Sequence, residues 1–319
     1  MTTTRKVRGG ATLFGVALLA GGLVAGPADA KTDAQAGTTK TAAACKQAVG
    51  AVTAGGAVAG FGVTAGSPPS RSVGGEVPGL YPAGAAKLSG SYTTTPTTTG
   101  SVGNRGHIVL GSTMYKSSWT LNADGELDPA SVELYKVGGG WDAYTSFVNS
   151  ALPPSAGRPL GRQTHYGLRK DGTLFRWDIH YNQYWMYVKS AGGFSSVKTM
   201  TLISQTTTYD TLLAITHGGA LYTIRVPLTS PLKPVVKKVR ASTWGAFDQL
   251  IATRCGQTGT LLLAVDKDLQ AAYLYAVGHA NGASTVIQGL GKVTGGAFNA
   301  PLYFRKASEP GVDLPLYGE

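Results

Sequence analysis

Two short sequence patterns recur at intervals of about fifty residues through the C-terminal two thirds of this 319-residue chain. The first pattern is an apolar residue followed by an aromatic one. Its four copies are Met114-Tyr115, Leu174-Phe175, Leu221-Tyr222 and Leu274-Tyr275. Self-similarity at a fixed period is the signature of a repeat architecture, in which each unit buries its apolar faces against its neighbours. The chain is therefore expected to form an array of similar units.

The second pattern is a step of three residues between two bulky side chains. It occurs as Trp141-Asp142-Ala143-Tyr144, Phe194-Ser195-Ser196-Val197 and Trp244-Gly245-Ala246-Phe247, and a fourth copy, Gly295-Gly296-Ala297-Phe298, lacks the first aromatic residue. The two patterns alternate in a constant order. Both are therefore interpreted as parts of one structural unit.

Each unit is predicted to contain four β-strands. Asp171-Gly172 separates two short runs of alternating apolar and polar residues, and Asp-Gly is the strongest short-range signal of a β-hairpin. In the run that follows this turn, Phe175, Trp177 and Ile179 share one face of the strand. Antiparallel four-stranded units of about fifty residues predict an all-β fold, the β-propeller.

The number of blades depends on how the ring closes. The repeat region begins with a second strand at His107 to Gly111 and ends with an extra first strand at Phe298 to Phe304. We expect this C-terminal strand to complete the opening blade and close the ring, which removes exposed sheet edges. This count predicts four blades, whereas a fifth would need strands from residues 46–92.

The first thirty residues are predicted to be a signal peptide. Arg5, Lys6 and Arg8 form a basic start, an apolar run follows from Ala11 to Ala25, and cleavage is expected after Ala30. A membrane anchor is the alternative, but the run is shorter than the roughly 20 residues that a spanning helix needs. We therefore expect a secreted, extracellular protein.

Residues 31–100 are interpreted as an N-terminal segment and linker that precede a propeller domain of residues 101–319. The segment is rich in Ala, Gly, Thr and Pro and has few large apolar residues. Within it, Thr41 to Val52 is expected to form a short helix. The proline-interrupted tract Thr93 to Thr99 is typical of a linker.

The chain has two cysteines, Cys45 and Cys255. In an oxidising compartment the economical prediction is one disulfide between them, and two unpaired thiols are the alternative. The disulfide would join the N-terminal segment to a distant hairpin.

One blade resembles those of the tachylectin-2 family. Gly140-Trp141-Asp142-Ala143-Tyr144 is similar to that family's Gly-Trp-x-x-aromatic opening. Tyr166 to Phe175 (YGLRKDGTLF) is similar to its Tyr-Gly-Val-x-x-Asp-Gly-x-Leu-Tyr hairpin. The likeness covers residues 107–304, although His217-Gly218-Gly219 replaces the Asp-Gly turn in another blade. The resemblance implies a five-bladed propeller lectin that binds N-acetylated sugars through loops between blades.

The sequence contains no nucleophile-elbow, zinc-protease, P-loop or dinucleotide-binding motif. Its five histidines lack the spacing of metal ligands, and we interpret His165 and His217 as structural residues. We therefore expect no enzymatic activity, no cofactor and no metal.

The densest cluster of aromatic and polar residues runs from Trp177 to Trp185 (WDIHYNQYW). Aromatic faces pack against the C–H face of sugars, while Asp, Asn and Gln side chains form hydrogen bonds with hydroxyl groups. The alternative is that Trp177 and Trp185 belong to the core between blades. The candidate ligand-binding residues are Asp178, Tyr181, Asn182, Tyr184 and Trp185.

The chain carries 28 basic and 17 acidic residues, a net charge of +11, which favours acidic partners. The charges are scattered and match no nucleic-acid-binding motif, so no nucleic-acid partner is predicted. No segment is predicted to span a membrane. We expect the protein to bind carbohydrate, as cell-surface glycans or wall polymers. The alternative is a protein-interaction module that docks in a secreted assembly through residues 31–100.

Overall fold

The computed structural model describes residues 45–155, 161–179, 185–308 and 315–319. Within these ranges the chain forms one ten-stranded sheet and three four-stranded antiparallel sheets. The ten-stranded sheet contains two blades joined at their inner strands, and each four-stranded sheet is one further blade.

Blades 1 and 2 are formed by the first strands of the chain. Blade 1 contains β1 (Lys46–Val52), β2 (Val58–Thr64) and the short outer strands β3 (Ser70–Arg71) and β4 (Glu76–Val77). Blade 2 contains β5 (Ala86–Ser89), β6 (Tyr92–Pro96), β7 (Val102–Leu110), β8 (Thr113–Leu121) and β9 (Leu127–Gly138).

Blades 3 to 5 each use four consecutive strands. A 3-10 turn at Trp141–Ala143 leads into blade 3, which contains β10 (Tyr144–Leu152), β11 (Arg162–Arg169), β12 (Leu174–Ile179) and β13 (Trp185–Ala191). Blade 4 contains β14 (Val197–Gln205), β15 (Tyr209–Thr216), β16 (Leu221–Pro227) and β17 (Val235–Arg240). Blade 5 contains β18 (Gln249–Cys255), β19 (Gly259–Asp266), β20 (Ala271–Val277) and β21 (Ile287–Lys292).

The last strand, β22 (Leu302–Ser308), is the inner strand of blade 1. It pairs antiparallel with β1, with Leu302 opposite Val52, and parallel with β6 of blade 2. The inner strands β5, β10, β14, β18 and β22 contact one another in a closed ring. All five line a central cavity of about 200 Å³. The molecule is therefore a propeller of five blades.

The predicted propeller fold and its closure by the C-terminal strand are confirmed. The strand completes the blade built from residues 46–77, and not the blade that contains His107, which has its own inner strands β5 and β6. The fifth blade comes from the region of residues 46–92, as the alternative count required.

One backbone hydrogen bond recurs at all five junctions between consecutive blades. The carbonyl in the turn after a blade's second strand accepts the N–H of the buried aromatic residue that begins the next blade. The donor and acceptor pairs are Tyr81 to Gly56 (3.0 Å), Trp141 to Ser112 (2.9 Å), Phe194 to Gly172 (3.0 Å), Trp244 to Gly219 (3.0 Å) and Phe298 to Gln270 (2.9 Å). This bond explains why the two sequence patterns alternate. The bond also shows that Phe298 is the equivalent of Trp141. The second sequence pattern had instead aligned Phe298 with Tyr144, which is three residues further along the unit.

The Asp171-Gly172 turn shows what this junction requires. Gly172 has a φ of +81°, which side-chain-bearing residues rarely adopt. The Asp171 carboxylate accepts the Thr173 N–H at 2.9 Å. A Cβ on Gly172 would overlap the backbone nitrogen of Ser195 at the start of blade 4. Glycine is therefore needed here both for the backbone conformation and for the close approach of the next blade.

The interpretation of residues 31–100 as a segment and linker outside the propeller is wrong for residues 46–96, which form β1 to β6. The helix expected at Thr41 to Val52 is also wrong, because residues 46–52 are the strand β1. The small residues of β1 have a packing role. Gly50 lies opposite Phe304, and a Cβ on Gly50 would overlap the Phe304 ring. The predicted signal peptide lies outside the described residues.

The predicted disulfide between Cys45 and Cys255 is confirmed. The two Cα atoms lie 5.6 Å apart, within the usual range for a disulfide. The bond joins the start of β1 in blade 1 to the end of β18 in blade 5, so it links the two blades on one side of the closure.

Among the described residues, no helix is long and apolar enough to cross a membrane.

Candidate functional site

A cleft of about 400 Å³ lies between blades 2 and 3, and we call it the 2–3 cleft. Its walls are formed mainly by β7, β8 and β9 of blade 2 and by β10 and β11 of blade 3. The residues that line it include His107, Lys116, Tyr135 and His165.

The strand registers bring two histidines together across this cleft. His107 on β7 lies opposite Lys116 on β8, and His165 on β11 lies opposite Asn149 on β10 and Trp177 on β12. Each histidine is on the second strand of its blade, and the two imidazole centroids are 4.6 Å apart. Two adjacent blades therefore present equivalent strands, each with one imidazole, to the same space.

Two polar atoms of the histidines that line the 2–3 cleft are buried without a hydrogen-bond partner in the described part of the chain. They are Nε2 of His107 and Nδ1 of His165. His165 is buried as a whole residue, while His107 is half-buried with its Nε2 enclosed. A buried polar group without a partner costs about 1–3 kcal/mol. Such groups concentrated in one cleft are typical of a binding site.

Both imidazoles are electrically neutral. Burial and, to a smaller extent, the positive charge of Lys116 together lower the pKa of His107 to about 3. Burial also lowers the pKa of His165 well below its usual range, with smaller contributions from His107 and Lys116. A neutral imidazole has one nitrogen that donates and one that accepts. The pair can therefore bind a neutral ligand that both donates and accepts hydrogen bonds.

Aromatic rings enclose the base of the two imidazoles. Trp185 has its ring centroid 4.6 Å from that of His165 and 5.7 Å from that of His107. It stacks on Phe147 at 6.1 Å and contacts Trp177 at 5.2 Å. These rings extend the apolar cluster of Trp141 between the two blades. The packing holds the histidine rings in fixed orientations.

The rim of the 2–3 cleft is charged and aromatic. Tyr135 on β9 is 64% exposed, and the Lys116 ammonium lies 5.4 Å from its ring centroid. Glu133 accepts a hydrogen bond from Ser118 at 3.3 Å. An exposed tyrosine ring in the same cleft as buried polar groups provides one stacking surface and several directional contacts for a small ligand.

Of the sequence-predicted site residues, the structure describes Asp178 and Trp185, and it does not bring these two together, since Trp185 pairs with Ile179, the neighbour of Asp178 in β12. Asp178 pairs with Thr164, and Trp177 with His165, so Asp178 and the Trp177 ring face opposite sides of blade 3. Asp178 forms ion pairs with Arg176 at 3.3 Å and Lys189 at 3.4 Å.

Trp185 lies with Trp177 in the interblade cluster, which is the core alternative that the sequence left open. Tyr181, Asn182 and Tyr184 lie outside the described residues, and their role stays a prediction.

Sequence reasoning missed His107 and His165 as candidate site residues. His165 was expected to be structural, yet its Nδ1 has no protein partner among the described residues. The two histidines are 58 positions apart, close to one repeat period, and both fall on a second strand. A spacing close to one repeat period and equivalent strand positions were the signal in the sequence that could have paired the two histidines.

Unlike the 2–3 cleft, the gap between blades 3 and 4 is closed by a buried ion pair. Arg162 donates to both carboxylate oxygens of Asp210, at 2.6 and 2.7 Å. The Tyr166 hydroxyl donates to the same carboxylate at 2.7 Å. Asp210 is fully buried and completely paired. The carboxylate is therefore satisfied by protein groups, while Nε of Arg162 is buried without a hydrogen-bond partner among the described residues.

The gap between blades 4 and 5 is filled by residues 315–319. The Gly318 N–H donates to the Ile203 carbonyl at 2.8 Å, and the Ala280 N–H donates to the Gly318 carbonyl at 2.6 Å. The Glu319 carboxylate pairs with Arg225 at 3.2 Å. This part of the chain thus occupies a space equivalent to the 2–3 cleft.

In the described part of the molecule, no group of three or more His, Cys, Asp or Glu side chains is arranged to hold a metal ion. The arrangement of the 2–3 cleft provides hydrogen bonds and ring contacts.

No protein-family model matches the chain, and no curated protein matches it. Solved structures do. The catalytic domain of the GH62 α-L-arabinofuranosidase of Coprinopsis cinerea has a TM-score of 0.40 and 12% identity; the match covers 60% of this chain and spans 64% of the length of that domain. The BP39L lectin of Burkholderia pseudomallei has a TM-score of 0.38 and 13% identity, covering 79% of this chain and 67% of the lectin. The Aleuria aurantia lectin, solved with Fucα1-6GlcNAc, has a TM-score of 0.38 and 12% identity, covering 76% of this chain and 72% of the lectin.

Proposed function

We propose that this protein is a secreted lectin that binds cell-surface or cell-wall glycans in the 2–3 cleft. The observation that supports this most directly is the pair of buried, unpartnered ring nitrogens of His107 and His165. They come from both blades, and the exposed ring of Tyr135 lines the same cleft. Sugars combine hydroxyl groups with an apolar C–H face, and this cleft offers partners for both.

The ligand class is an uncharged sugar, and we propose N-acetylated sugars within it. An acetamido group has one N–H donor and one C=O acceptor. Two neutral imidazoles provide matching partners, since each has one donor and one acceptor nitrogen. The tachylectin-2-like hairpin from Tyr166 to Phe175 lies in the same blade as His165 and supports this choice.

Action outside the cell is part of the proposal. The predicted signal peptide and the Cys45–Cys255 disulfide support it, because disulfides persist in oxidising compartments.

A glycan array with residues 31–319 tests the function. Binding to N-acetylated or wall-derived sugars is expected, and calorimetry then measures the affinity for the best ligand. Tyr135→Ala should weaken binding about tenfold through the loss of one stacking surface. His165→Phe should weaken it further by removing a hydrogen-bonding nitrogen while keeping a ring.

Leu134→Ala is the matched control, since Leu134 is the neighbouring residue on β9, is 40% exposed and does not line the cleft. It should bind as the unmodified protein does. An array without binding at both low and high salt would refute the lectin proposal. If Tyr135→Ala and His165→Phe bind normally while Tyr181→Ala with Tyr184→Ala does not, the site lies in the Trp177–Trp185 loop instead.

A further inference from the structure

Residues 315–319 (PLYGE) lie between blades 4 and 5 in the manner of a bound peptide. The Leu316 carbonyl accepts the Gln205 N–H at 2.9 Å, and the Gly318 N–H donates to the Ile203 carbonyl at 2.8 Å. These bonds add the segment, antiparallel, to the edge of the inner strand β14 that no other strand of blade 4 covers. Strand addition at a sheet edge is a common mode of peptide recognition, in which backbone bonds provide affinity and side-chain pockets provide specificity.

The Glu319 carboxylate makes the first specific contact. Its side chain is 2% exposed, and Arg225 reaches both of its oxygens: Nε donates to one at 3.2 Å, and Nη2 lies 3.2 Å from the other. The Thr211 hydroxyl donates to the same carboxylate. The Tyr209 ring centroid lies 4.5 Å from the guanidinium carbon of Arg225, which helps to hold this side chain in place. A bidentate guanidinium of this kind is specific for a planar oxyanion such as a carboxylate.

Gly318 makes the second specific contact. A Cβ at this position would lie 2.5 Å from Oγ1 of Thr260 and 2.7 Å from the carbonyl oxygen of Ile203. The Gly318 carbonyl also accepts the Ala280 N–H at 2.6 Å. Blades 4 and 5 therefore enclose this residue from two sides, and the space next to the carboxylate-bearing residue fits glycine.

The two preceding side chains of the segment have different surroundings. Leu316 is 2% exposed and packs in the apolar cluster that contains Leu202 and Leu212. Tyr317 is 39% exposed, and its ring centroid lies 5.0 Å from the guanidinium carbon of Arg254. The position of Leu316 therefore requires an aliphatic side chain, whereas the position of Tyr317 accepts a wider range of residues.

The segment is not part of the propeller repeat. The ring is closed by β22, and every blade has its strands without residues 315–319. The open 2–3 cleft shows that a gap between blades need not be filled. Blades 4 and 5 therefore form the surface that holds the segment by themselves. We call this surface the 4–5 groove, and the residues that bind the segment there are Ile203, Gln205, Thr211, Arg225, Thr260 and Ala280.

The charge of blade 4 favours an acidic occupant of the 4–5 groove. From residue 211 to residue 247 the sequence has five basic residues and no acidic one. Asp210, the acidic residue just before this range, is paired with Arg162 on the side of blade 3. A surface with one sign of charge attracts ligands of the opposite sign and speeds their association.

We propose that the 4–5 groove is a recognition site for acidic peptides and that residues 315–319 are its internal occupant. The partner is a protein segment that carries, in this order, an aliphatic residue, a variable residue, glycine and glutamate. Its carboxylate replaces that of Glu319 on Arg225, and its backbone replaces residues 316–318 on β14. This activity is separate from the glycan binding proposed for the 2–3 cleft.

Fluorescence anisotropy with a labelled PLYGE peptide tests the proposal on the chain of residues 31–319. The peptide is amidated, so that its glutamate side chain is its one carboxylate. The unmodified chain should bind it weakly, because the internal segment competes at a high effective concentration. Gly318→Ala in the chain should displace the internal segment, since a Cβ there would overlap Thr260 and Ile203. This variant should bind the peptide at least about tenfold more tightly than the unmodified chain does.

A second peptide, with glutamine in place of glutamate, tests the role of the carboxylate. It should bind the Gly318→Ala variant about tenfold less tightly, since a charge-assisted hydrogen bond is about twice as strong as a neutral one. Adding Arg225→Met should remove this discrimination between the two peptides. Adding Lys237→Met instead, which removes a charge from an exposed residue of β17, should preserve it. A merely structural role of Arg225 would weaken both peptides equally.

Glu319→Gln in the chain weakens the internal segment without a steric clash, so it provides the same test if Gly318→Ala does not fold. This variant should bind the glutamate peptide several-fold more tightly than the unmodified chain does. If neither variant binds it more tightly, or if the two peptides bind equally, the proposal is overturned. His165→Phe should leave peptide binding unchanged, so failure of the lectin proposal and failure of this one are distinguishable.

Discussion

Replacing Asp210 by leucine should lower the free energy of unfolding by about 3–5 kcal/mol. The Asp210 carboxylate is fully buried, and the guanidinium of Arg162, which is only 12% exposed, donates to both of its oxygens. The substitution leaves this guanidinium, and the Tyr166 hydroxyl, without their common acceptor. Removing one partner of a buried pair costs this much because the other charge stays buried without compensation.

The assay is urea unfolding of the disulfide-intact protein, followed by tryptophan fluorescence. Asp268→Asn is the control, because Asp268 is exposed in a hairpin turn of blade 5 and should show no more than about 0.5 kcal/mol of change. The double variant Asp210→Leu with Arg162→Met should recover much of the loss, since a buried pair replaced by apolar groups is often neutral.

A loss below about 1 kcal/mol in the Asp210→Leu variant would refute the reasoning. It would mean that water reaches Arg162 and that the gap between blades 3 and 4 is open. A double variant that is less stable than the single one would show instead that the apolar groups do not fit the gap.

Two further predictions concern the turn of blade 3 and the buried histidines. Gly172→Ala should destabilise the protein by about 1–3 kcal/mol in the same urea assay, because φ is +81° and a Cβ would overlap the Ser195 backbone; Gly192→Ala, where a Cβ meets no atom within 4 Å, is the control. Stability should fall as the pH is lowered from about 6.5 toward about 3, because His107 and His165 are neutral when folded but take up protons when unfolded. Each histidine contributes up to about 1.4 kcal/mol per pH unit to the free energy of unfolding. His165→Phe should therefore reduce the slope of this free energy against pH, and an unchanged slope would show that the imidazole is not buried in solution.

The propeller was predictable from sequence because the recurring features are local. The Asp171-Gly172 turn and the Trp141 and Trp244 steps sit in the chain at a nearly constant period. The disulfide followed from there being two cysteines in the chain.

Blade 1 was missed because its signal is not local. The strand containing Gly50 has little apolar surface of its own, and it is covered by the ring of Phe304, more than 250 residues away in the chain. Composition alone therefore made residues 46–96 look like a linker. The threonines from Thr93 to Thr95 form part of an inner strand, β6, where their β-branched side chains fit the sheet.

The geometry around the Trp177–Trp185 cluster was also beyond what the sequence could show. Aromatic and polar residues are close together in the sequence from Trp177 to Trp185. Neighbours in a strand point to opposite faces, however, so the side chains of Asp178 and Trp177 face different gaps between blades. The His107–His165 pair arises from two blades, and no spacing rule within one strand could reveal it.

The closure of blade 1 has a consequence for the order in which the molecule can assemble. Strands β1 to β4 are synthesised before their inner strand, Leu302–Ser308, which follows them in the chain after all the strands of blades 2 to 5. Until then, the edge of β1 from Val49 to Val52 has no partner. During that interval the chain carries an unpaired sheet edge, which makes incomplete chains prone to pair with one another. The interval ends when β22 pairs with β1.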